Sequence, residues 1–255
     1  MIAALLLHGF ATNKLDFISI MPFLKKRYDA IFIDDLPGHG DNGNLNDFTV
    51  DSTLEYVNNK FDEIKSNYEK VDVYGYSMGG VLATYLACKK EVNRVILLAP
   101  ANKYINARIF AKKIKTEFEI MFDSENVRSK IIREDNRKGM DVVFNELMPR
   151  YNVYTITTFI TIVRVCNNVL VKNNVKTLLV KGNMDELVPD EASSYLKKYF
   201  LNLEEQIIPD LGHLMLKSRN YRLIINKIKY FLDEWKFILF CLKRTYKGLW
   251  VKTPR

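Results

Sequence analysis

The stretch VDVYGYSMGGVLATYLACK, residues 71–89, indicates the fold class most clearly within the 255-residue chain. It begins as a buried strand, passes through Gly75-Tyr76-Ser77-Met78-Gly79 and continues with the small and aliphatic residues of a helix. This is the G-x-S-x-G pattern, in which the glycines on either side of the serine permit close backbone approach. We predict a strained turn that exposes the Ser77 hydroxyl above a sheet and places the Met78 N–H at a helix N-terminus.

Strands and helices alternate on both sides of this turn, which is the pattern of a parallel sheet covered by helices on both faces. Short aliphatic or β-branched runs predict strands at Ile2 to Leu7, Ala30 to Asp34, Lys70 to Tyr74, Arg94 to Leu98, Lys176 to Val180 and Gln206 to Ile208. Helices are predicted from Ser52, where Ser52-Thr53-Leu54-Glu55 forms a capping box, from Met78 to Lys89 and from Tyr221 to Trp235. We therefore predict an α/β fold whose core comprises residues 1–100 and 155–235.

The interval 101–154 contains no predicted strand and only helical segments. We predict that it forms a small helical cap inserted into the core. Its Phe and Met side chains either line a ligand pocket or pack the cap against the sheet, and packing is the favoured role. They are Phe110, Phe118, Met121, Phe122, Met140, Phe144 and Met148.

Composition excludes several classes of protein. Hydrophobic residues make up 48% of the chain, which is enough for a core and too much for intrinsic disorder. The three cysteines are too few and too scattered for a disulfide scaffold, so a reducing, cytoplasmic setting is expected. The apolar runs fall short of the roughly 18 residues of a membrane span, and the apolar N-terminus lacks the basic segment of a signal peptide.

The formal net charge of +8 is concentrated near the C-terminus. Residues 236–255 hold six Lys and Arg side chains and no acidic one, which leaves 32 basic against 30 acidic side chains in the rest. A nucleic-acid-binding face on the nearly neutral body is therefore not expected. We interpret 236–255 as a basic amphipathic extension that packs on the body; the alternative is a weak contact with an anionic membrane surface.

One glycine-rich pattern resembles a dinucleotide-binding motif, but its context does not favour such a site. Gly38-His39-Gly40-Asp41-Asn42-Gly43 matches G-x-G-x-x-G after a strand, but a dinucleotide site needs these glycines to open a helix and an acid to end the next strand. Here turn-forming residues 44–47 follow, and Asp62, at the expected distance of about twenty residues, falls within a predicted helix. We predict neither a cofactor nor a metal site.

A serine hydroxyl becomes a nucleophile when a base accepts its proton and an acid holds that base. On a sheet with this type of turn, the order along the chain is serine, acid, histidine. Among the three histidines only His213 follows Ser77, in a loop after the last predicted strand. His8 and His39 precede Ser77 and are expected to make structural hydrogen bonds, so His213 is the predicted base.

The acid is expected after the predicted strand Lys176 to Val180, which comes before the strand that leads to His213. The chain offers Asp185, Glu186 and Asp190 there. We choose Asp185, with Glu186 as the second choice. The alternative position, after the strand that ends at Leu98, holds no carboxylate and is excluded.

The oxyanion of such a reaction needs two N–H donors. One is the Met78 N–H, and the other is expected from the loop after the first strand, where the Phe10 N–H is the candidate. Gly9 lets this loop turn close to the substrate. We predict that Gly9, Phe10, Tyr76 and Met78 contact the substrate.

Five short motifs, in this order, resemble the α/β-hydrolase family, and within it small bacterial carboxylesterases and monoacylglycerol-lipase-like enzymes. They are His8-Gly9-Phe10, Asp35-Leu36-Pro37-Gly38-His39-Gly40, Gly75-Tyr76-Ser77-Met78-Gly79-Gly80, Gly182-Asn183-Met184-Asp185 with Val188-Pro189, and Gly212-His213. The resemblance implies a serine esterase that works through an acyl-enzyme, with Ser77, Asp185 and His213 as its triad. It also implies a sheet of about six parallel strands, because the two strands with which the family's sheet usually begins are absent from this chain. Numbered along this chain, the strands are expected in the order second, first, third, fourth, fifth, sixth.

The expected reaction is hydrolysis of a small carboxylic ester with a short to medium acyl chain, monoacylglycerol-like esters included, by a monomer or homodimer. His8-Gly9-Phe10 replaces the H-G-G-G loop of some lipases, which disfavours bulky tertiary-alcohol esters. An acyl thioesterase would use the same residues and stays open as the alternative. A carbon–carbon bond hydrolase shares the triad but lacks support in the cap, and a non-catalytic binding protein on the same fold would not need an intact triad.

Overall fold

The computed structural model describes residues 1–40, 43–103, 153–185 and 187–233. In these ranges one sheet contains six strands, which are β1 (Ile2–Leu7), β2 (Ala30–Ile33), β3 (Lys70–Tyr76), β4 (Arg94–Leu98), β5 (Lys176–Gly182) and β6 (Leu203–Ile208). They lie in the order β2-β1-β3-β4-β5-β6, and each neighbouring pair is parallel. The predicted strand order and direction are confirmed.

Helices cover both faces of this sheet. They are α1 (Met21–Leu24), α2 (Val50–Asn67), α3 (Met78–Lys89), α4 (Val153–Asn168), α5 (Glu191–Leu196) and the helical residues 221–233, which we call α6. Successive side chains of a strand point to opposite faces. In β1, Ala3, Leu5 and Leu7 join the apolar cluster that includes residues of α2, α3 and α4, whereas Ala4 and Leu6 join the cluster that includes residues of α1 and α6.

Strand ends differ from the prediction where pairing overrides local propensity. Gly75 and Tyr76 extend β3 because they pair with Leu97 and Leu98 of β4. β6 begins three residues earlier than predicted, at Leu203, and it includes two glutamates that pair with β5. Its side chains are mostly half-buried, as expected for a strand at the edge of the sheet, so charged residues are tolerated there.

The predicted start of α2 is wrong by two residues. The helix begins at Val50, and Thr49 is its N-cap. The Thr49 hydroxyl accepts a hydrogen bond from the Ser52 N–H at 3.1 Å, and the Ser52 hydroxyl accepts one from the Thr49 N–H at 3.2 Å. The capping box therefore joins Thr49 to Ser52, because a serine takes the third helical position that more often holds Glu or Gln.

The described residues of the glycine-rich segment after β2 include a turn and do not begin an α-helix. Gly38 and Gly40 have positive φ angles of 74° and 80°. Gly38 packs against Phe48, and Gly40 packs against Asp35. Among the described residues the next α-helix is α2, which begins only at Val50, so their geometry does not match the helix N-terminus that a pyrophosphate site requires.

Two predicted segments fall largely or wholly outside the described residues. Of the predicted cap, 101–154, only residues 101–103 and 153–154 are described, and the predicted extension, 236–255, is not. The helix predicted from Tyr221 is confirmed as far as residue 233. Within the described ranges, no helix combines the length and apolarity that crossing a membrane requires.

Candidate active site

Ser77 lies in a strained turn between β3 and α3. Its φ of 54° and ψ of −113° put a non-glycine residue in a sparsely populated region of backbone conformation. Three hydrogen bonds hold it there: the Ser77 N–H donates to the Leu98 carbonyl at 2.9 Å, and the Ser77 carbonyl accepts from the N–H groups of Gly80 and Ala101 at 3.0 and 3.1 Å. The end of β4 and the loop after it therefore stabilise the conformation that raises Ser77 above the sheet.

The first turn of α3 packs directly against the end of β1. A Cβ atom on Gly79 would overlap the Leu7 carbonyl, so only glycine fits at this position. Met78, the first residue of α3, is fully buried, and its N–H belongs to the helix turn whose amides lack intrahelical acceptors. This packing places a helix N-terminus next to Ser77.

Ser77, His213 and Asp185 form a continuous chain of hydrogen bonds. The Ser77 Oγ lies 3.0 Å from His213 Nε2. His213 Nδ1 lies 3.1 and 3.0 Å from the two carboxylate oxygens of Asp185. Both side chains are buried, with 5% of His213 and 4% of Asp185 exposed. The structure thus brings the three predicted residues together; their catalytic roles stay a prediction.

The partners of Asp185 set the tautomer of His213. The Asp185 Oδ1 atom also accepts hydrogen bonds from the N–H groups of Leu187 and Val188 at 2.9 and 2.8 Å. An ionised carboxylate only accepts, so the bonded His213 Nδ1 must carry the imidazole proton. His213 Nε2 is then left as an acceptor for the Ser77 hydroxyl, which is the arrangement that a general base requires.

Asp190, one of the two other candidate carboxylates, forms an ion pair elsewhere. Glu186 lies outside the described residues. Asp190 forms an ion pair with the buried Lys181. Asp185 is the acidic residue of this loop that lies within hydrogen-bond distance of His213 Nδ1.

The loops that carry Asp185 and His213 are bonded to each other. The Met184 N–H donates to the Leu211 carbonyl at 3.0 Å, and the Asp210 N–H donates to the Asn183 side-chain oxygen at 2.8 Å. A Cβ on Gly182 would overlap the Leu211 carbonyl, so glycine is needed where the loops meet. These contacts fix the spacing between the acid and the base.

Tyr76 packs against His213. Its hydroxyl donates to the His213 carbonyl at 3.0 Å, and the two rings stack with their centroids 5.6 Å apart. Only 2% of Tyr76 is exposed. Strand alternation directs the side chain of Tyr76 toward the core, where it supports the histidine. The substrate contact predicted for Tyr76 stays a prediction.

The loop after β1 lies beside Ser77. A Cβ on Gly9 would sit 3.4 Å from the Ser77 Cβ, so this backbone approaches the serine closely. The next residue, Phe10, stacks on Phe159 of α4 at 5.0 Å and packs against Phe48 at 5.7 Å. The loop thus has an apolar surround, and the roles of the Phe10 and Met78 N–H groups as oxyanion donors stay predictions.

His8 and His39 make structural hydrogen bonds, as expected. His8 Nε2 accepts from the Leu36 N–H at 2.8 Å, so the proton sits on Nδ1, which donates to the Gly9 carbonyl at 2.8 Å. His39 Nδ1 lies 2.9 Å from the Pro37 carbonyl. Burial lowers the pKa of each imidazole to about 4, so both are neutral near neutral pH.

Acidification is expected to destabilise the fold through these two histidines. The unfolded chain binds their protons below about pH 6.5, whereas the folded chain binds them only near pH 4. The free energy of unfolding is therefore highest above pH 6.5 and falls toward pH 4, by on the order of 3 kcal/mol for each histidine. Urea unfolding at neutral pH and about two units lower measures this loss.

The His39→Gln variant provides the control, because it removes one of the two titrating rings and leaves a side chain that can still donate to Pro37. The variant should lose about half as much unfolding free energy on acidification. An equal loss in both proteins would contradict the assignment of this acid sensitivity to the histidine pair.

Sequence reasoning missed the buried carboxylate of Asp16. It accepts hydrogen bonds from the Thr12 hydroxyl at 2.5 Å and from the Gly9 N–H at 3.4 Å, and it pairs with Lys217 at 3.5 Å. The available signal was one acidic residue between the apolar Leu15 and Phe17. In the described part of the chain, no cluster of His, Cys, Asp or Glu side chains is arranged to hold a metal ion.

Comparisons with known proteins give a consistent result. A family model for the alpha/beta hydrolase fold matches residues 4–125. The protein named "Putative esterase/lipase 2" of Mycoplasma pneumoniae is 26% identical over 245 residues, which cover 90% of this chain and 88% of that one. "Monoacylglycerol lipase ABHD6" of Homo sapiens is 23% identical over 244 residues, which cover 84% of this chain and 71% of that one.

Solved structures share this fold. An esterase from Exiguobacterium antarcticum superposes with a TM-score of 0.65 and 18% identity, covering 91% of this chain and 92% of that one. The family-model match includes the loop after β1 and the Ser77 turn, and it ends before the loops that carry Asp185 and His213. The placement of these two residues therefore rests on the geometry described above.

Proposed function

We propose that this chain, which has the α/β-hydrolase fold and esterases and lipases among its distant homologues, is a serine hydrolase of carboxylic esters. The observation that carries the proposal is the hydrogen-bonded chain from Ser77 through His213 to Asp185. Ser77 is the proposed nucleophile, His213 the general base and Asp185 the acid that orients it.

In the acylation step, His213 Nε2 takes the Ser77 proton while Oγ bonds to the ester carbonyl carbon. The carbonyl π electrons move to oxygen, where the N–H groups of Phe10 and Met78 donate hydrogen bonds. Asp185 stabilises the imidazolium through its bond to Nδ1. The carbonyl then reforms as the bond to the alkoxy oxygen breaks, and His213 gives its proton to the departing alcohol.

In the deacylation step, water attacks the acyl-Ser77 carbonyl carbon. His213 takes a proton from that water and transfers it to Ser77 Oγ as the ester bond to the serine breaks. The products are the free carboxylic acid and the regenerated serine. The proton balance closes within the three residues, and the only co-reactant is water.

The proposed substrate has a short to medium aliphatic acyl chain. The support for this class is the apolar packing around the loop after β1, where Phe10 contacts Phe48 and Phe159. Burying an apolar chain stabilises the bound ester by about 0.8 kcal/mol per CH₂ group. Monoacylglycerols with such chains belong to the same class.

Initial rates with p-nitrophenyl acetate, butyrate, octanoate and palmitate test this proposal. We expect kcat/KM to peak at butyrate or octanoate and to fall at palmitate. Butyryl-coenzyme A and octanoyl-coenzyme A are the matched thioesters, and we expect lower kcat/KM for them than for the corresponding esters. A higher kcat/KM for the thioesters would mean that the protein is an acyl thioesterase. The absence of turnover with every ester would contradict the proposed function.

A further inference from the structure

Asp16 is a buried carboxylate next to the predicted oxyanion loop, residues 8–12. Only 1% of its side chain is exposed. One oxygen, Oδ2, lies 2.5 Å from the Thr12 hydroxyl and 3.4 Å from the Gly9 N–H. The 2.5 Å separation is typical of a hydrogen bond from a hydroxyl to an ionised carboxylate.

These contacts hold the peptide that contains the Phe10 N–H. The Gly9 carbonyl and the Phe10 N–H belong to one planar trans peptide, so they point in opposite directions. The Gly9 carbonyl accepts a hydrogen bond from His8 Nδ1 at 2.8 Å and lies 2.9 Å from the Thr12 hydroxyl. Because Asp16 also holds the Gly9 N–H, the orientation of the Phe10 N–H depends on this network.

Lys217 connects Asp16 to the loop that carries His213. Its Nζ lies 3.5 Å from Asp16 Oδ1, and it follows His213 by four residues in the sequence. The Ser19 hydroxyl donates to the Leu216 carbonyl at 2.7 Å, which is a second contact between the same two segments. The oxyanion loop and the histidine loop are therefore linked beside the proposed nucleophile.

Lys217 also favours the ionised form of Asp16. Burial is the largest influence and leaves the pKa of the Asp16 carboxyl raised, although the positive charge of Lys217 and the hydrogen bonds from Thr12 and Gly9 lower it in part. His8 and His39 also lie near this site, but they are neutral above about pH 4. Without Lys217, the carboxyl would bind a proton at higher pH, and the oxygen that carries this proton would become a hydrogen-bond donor.

We propose that Asp16 and Lys217 are positioning residues: the ion pair favours the carboxylate form of Asp16, which only accepts hydrogen bonds, fixes the Gly9–Phe10 peptide, and sets the oxyanion loop against the loop that carries His213. This inference rests on the proposed ester hydrolysis. Its consequence is a contribution to the transition state, where the oxyanion forms, rather than to substrate binding.

The Lys217→Met variant tests the role of the charge, because methionine retains much of the side-chain volume. We expect kcat for p-nitrophenyl butyrate to fall roughly tenfold with little change in KM, since the oxyanion donor is displaced. The acidic limb of the kcat profile should move to higher pH. The Lys217→Arg variant retains the positive charge and should keep a kcat close to that of the wild type. A role of Lys217 in packing alone would not predict this difference between the two variants.

Lys197→Met is the matched control. Lys197 is 50% exposed and pairs with Glu205, much as Lys217 is 44% exposed and pairs with Asp16, but Lys197 follows α5 and is not in either loop. This variant should keep the wild-type kcat. Unfolding midpoints and active-site titration of each variant correct the rates for any loss of folded protein.

A double-mutant cycle tests whether Lys217 acts through Asp16. Asp16→Asn should lower kcat by tenfold or more, and adding Lys217→Met should then cause little further loss. Wild-type kcat in Lys217→Met, or fully additive losses in the double variant, would overturn the positioning role. The wild-type rate separates the proposed ester hydrolysis from the positioning role. An inactive wild type contradicts the ester hydrolysis. An active wild type with an unaffected Lys217→Met variant contradicts only the positioning role. The comparison of Lys217→Met with Lys217→Arg decides the case if Asp16→Asn fails to fold.

Discussion

Replacing Ser77 by alanine is expected to lower kcat for ester hydrolysis by roughly 10⁴- to 10⁶-fold. The variant retains the oxyanion loop and the imidazole of His213, but it has no oxygen to bond to the ester carbonyl carbon. Any remaining rate would come from water held near the same groups. Initial rates with p-nitrophenyl butyrate, corrected for the uncatalysed reaction, measure the loss.

The fold of this variant should be unaffected. Alanine meets the same backbone strain as serine at a φ of 54°, so the unfolding midpoint should change little. Ser77→Gly should be equally inactive and at least as stable, because glycine adopts positive φ without strain. Ser66, an exposed residue of α2, provides the matched control, and Ser66→Ala should keep full activity. Substantial turnover by Ser77→Ala would contradict the proposed nucleophile.

The second large effect is expected for Asp185→Asn. Leu187 and Val188 both donate N–H hydrogen bonds to one carboxylate oxygen, so they should hold the single carbonyl oxygen of asparagine in that place. The amide NH₂ group then faces His213 Nδ1 and forces the imidazole proton onto Nε2. That tautomer cannot accept the Ser77 proton. We expect kcat to fall by roughly 10⁴-fold.

Asp190→Asn is the control for this prediction. Asp190 follows in the same loop and carries the same charge, but it pairs with Lys181. Its neutralisation should leave kcat within about twofold of the wild type, because the Asp190 side chain is 91% exposed and solvent screens its charge. Equal losses in the two variants would mean that the net charge of the loop matters and that the tautomer of His213 does not.

The sheet could be predicted from the sequence because its strands are short aliphatic runs between helical segments. A buried parallel strand such as β4, Arg94–Leu98, is apolar on both faces, and this pattern is visible without a structure. The ends of β3 and β6 could not be predicted in the same way. There, glycine and glutamate residues join the sheet because a neighbouring strand offers hydrogen bonds, which local propensity does not record.

The candidate site could be predicted in part because chain order left a single eligible histidine. Ser77, Asp185 and His213 lie at the carboxyl ends of three parallel strands or just beyond them, so the fold brings them to one edge. The contacts that hold the neighbouring loops in place were harder to predict. Lys217 reaches Asp16 across 201 positions of sequence, and no local pattern reports a contact between such distant residues.

Covalent labelling with a fluorophosphonate tests the central claim most directly, because the reagent forms a stable bond only with an activated serine. The intact mass of the folded protein and the masses of its peptides identify the site. We predict one adduct per chain, on Ser77, with no adduct in Ser77→Ala and much slower labelling in His213→Gln. A folded wild type that stays unlabelled, or an adduct that persists in Ser77→Ala, would contradict the assignment of Ser77 as the nucleophile of a serine hydrolase.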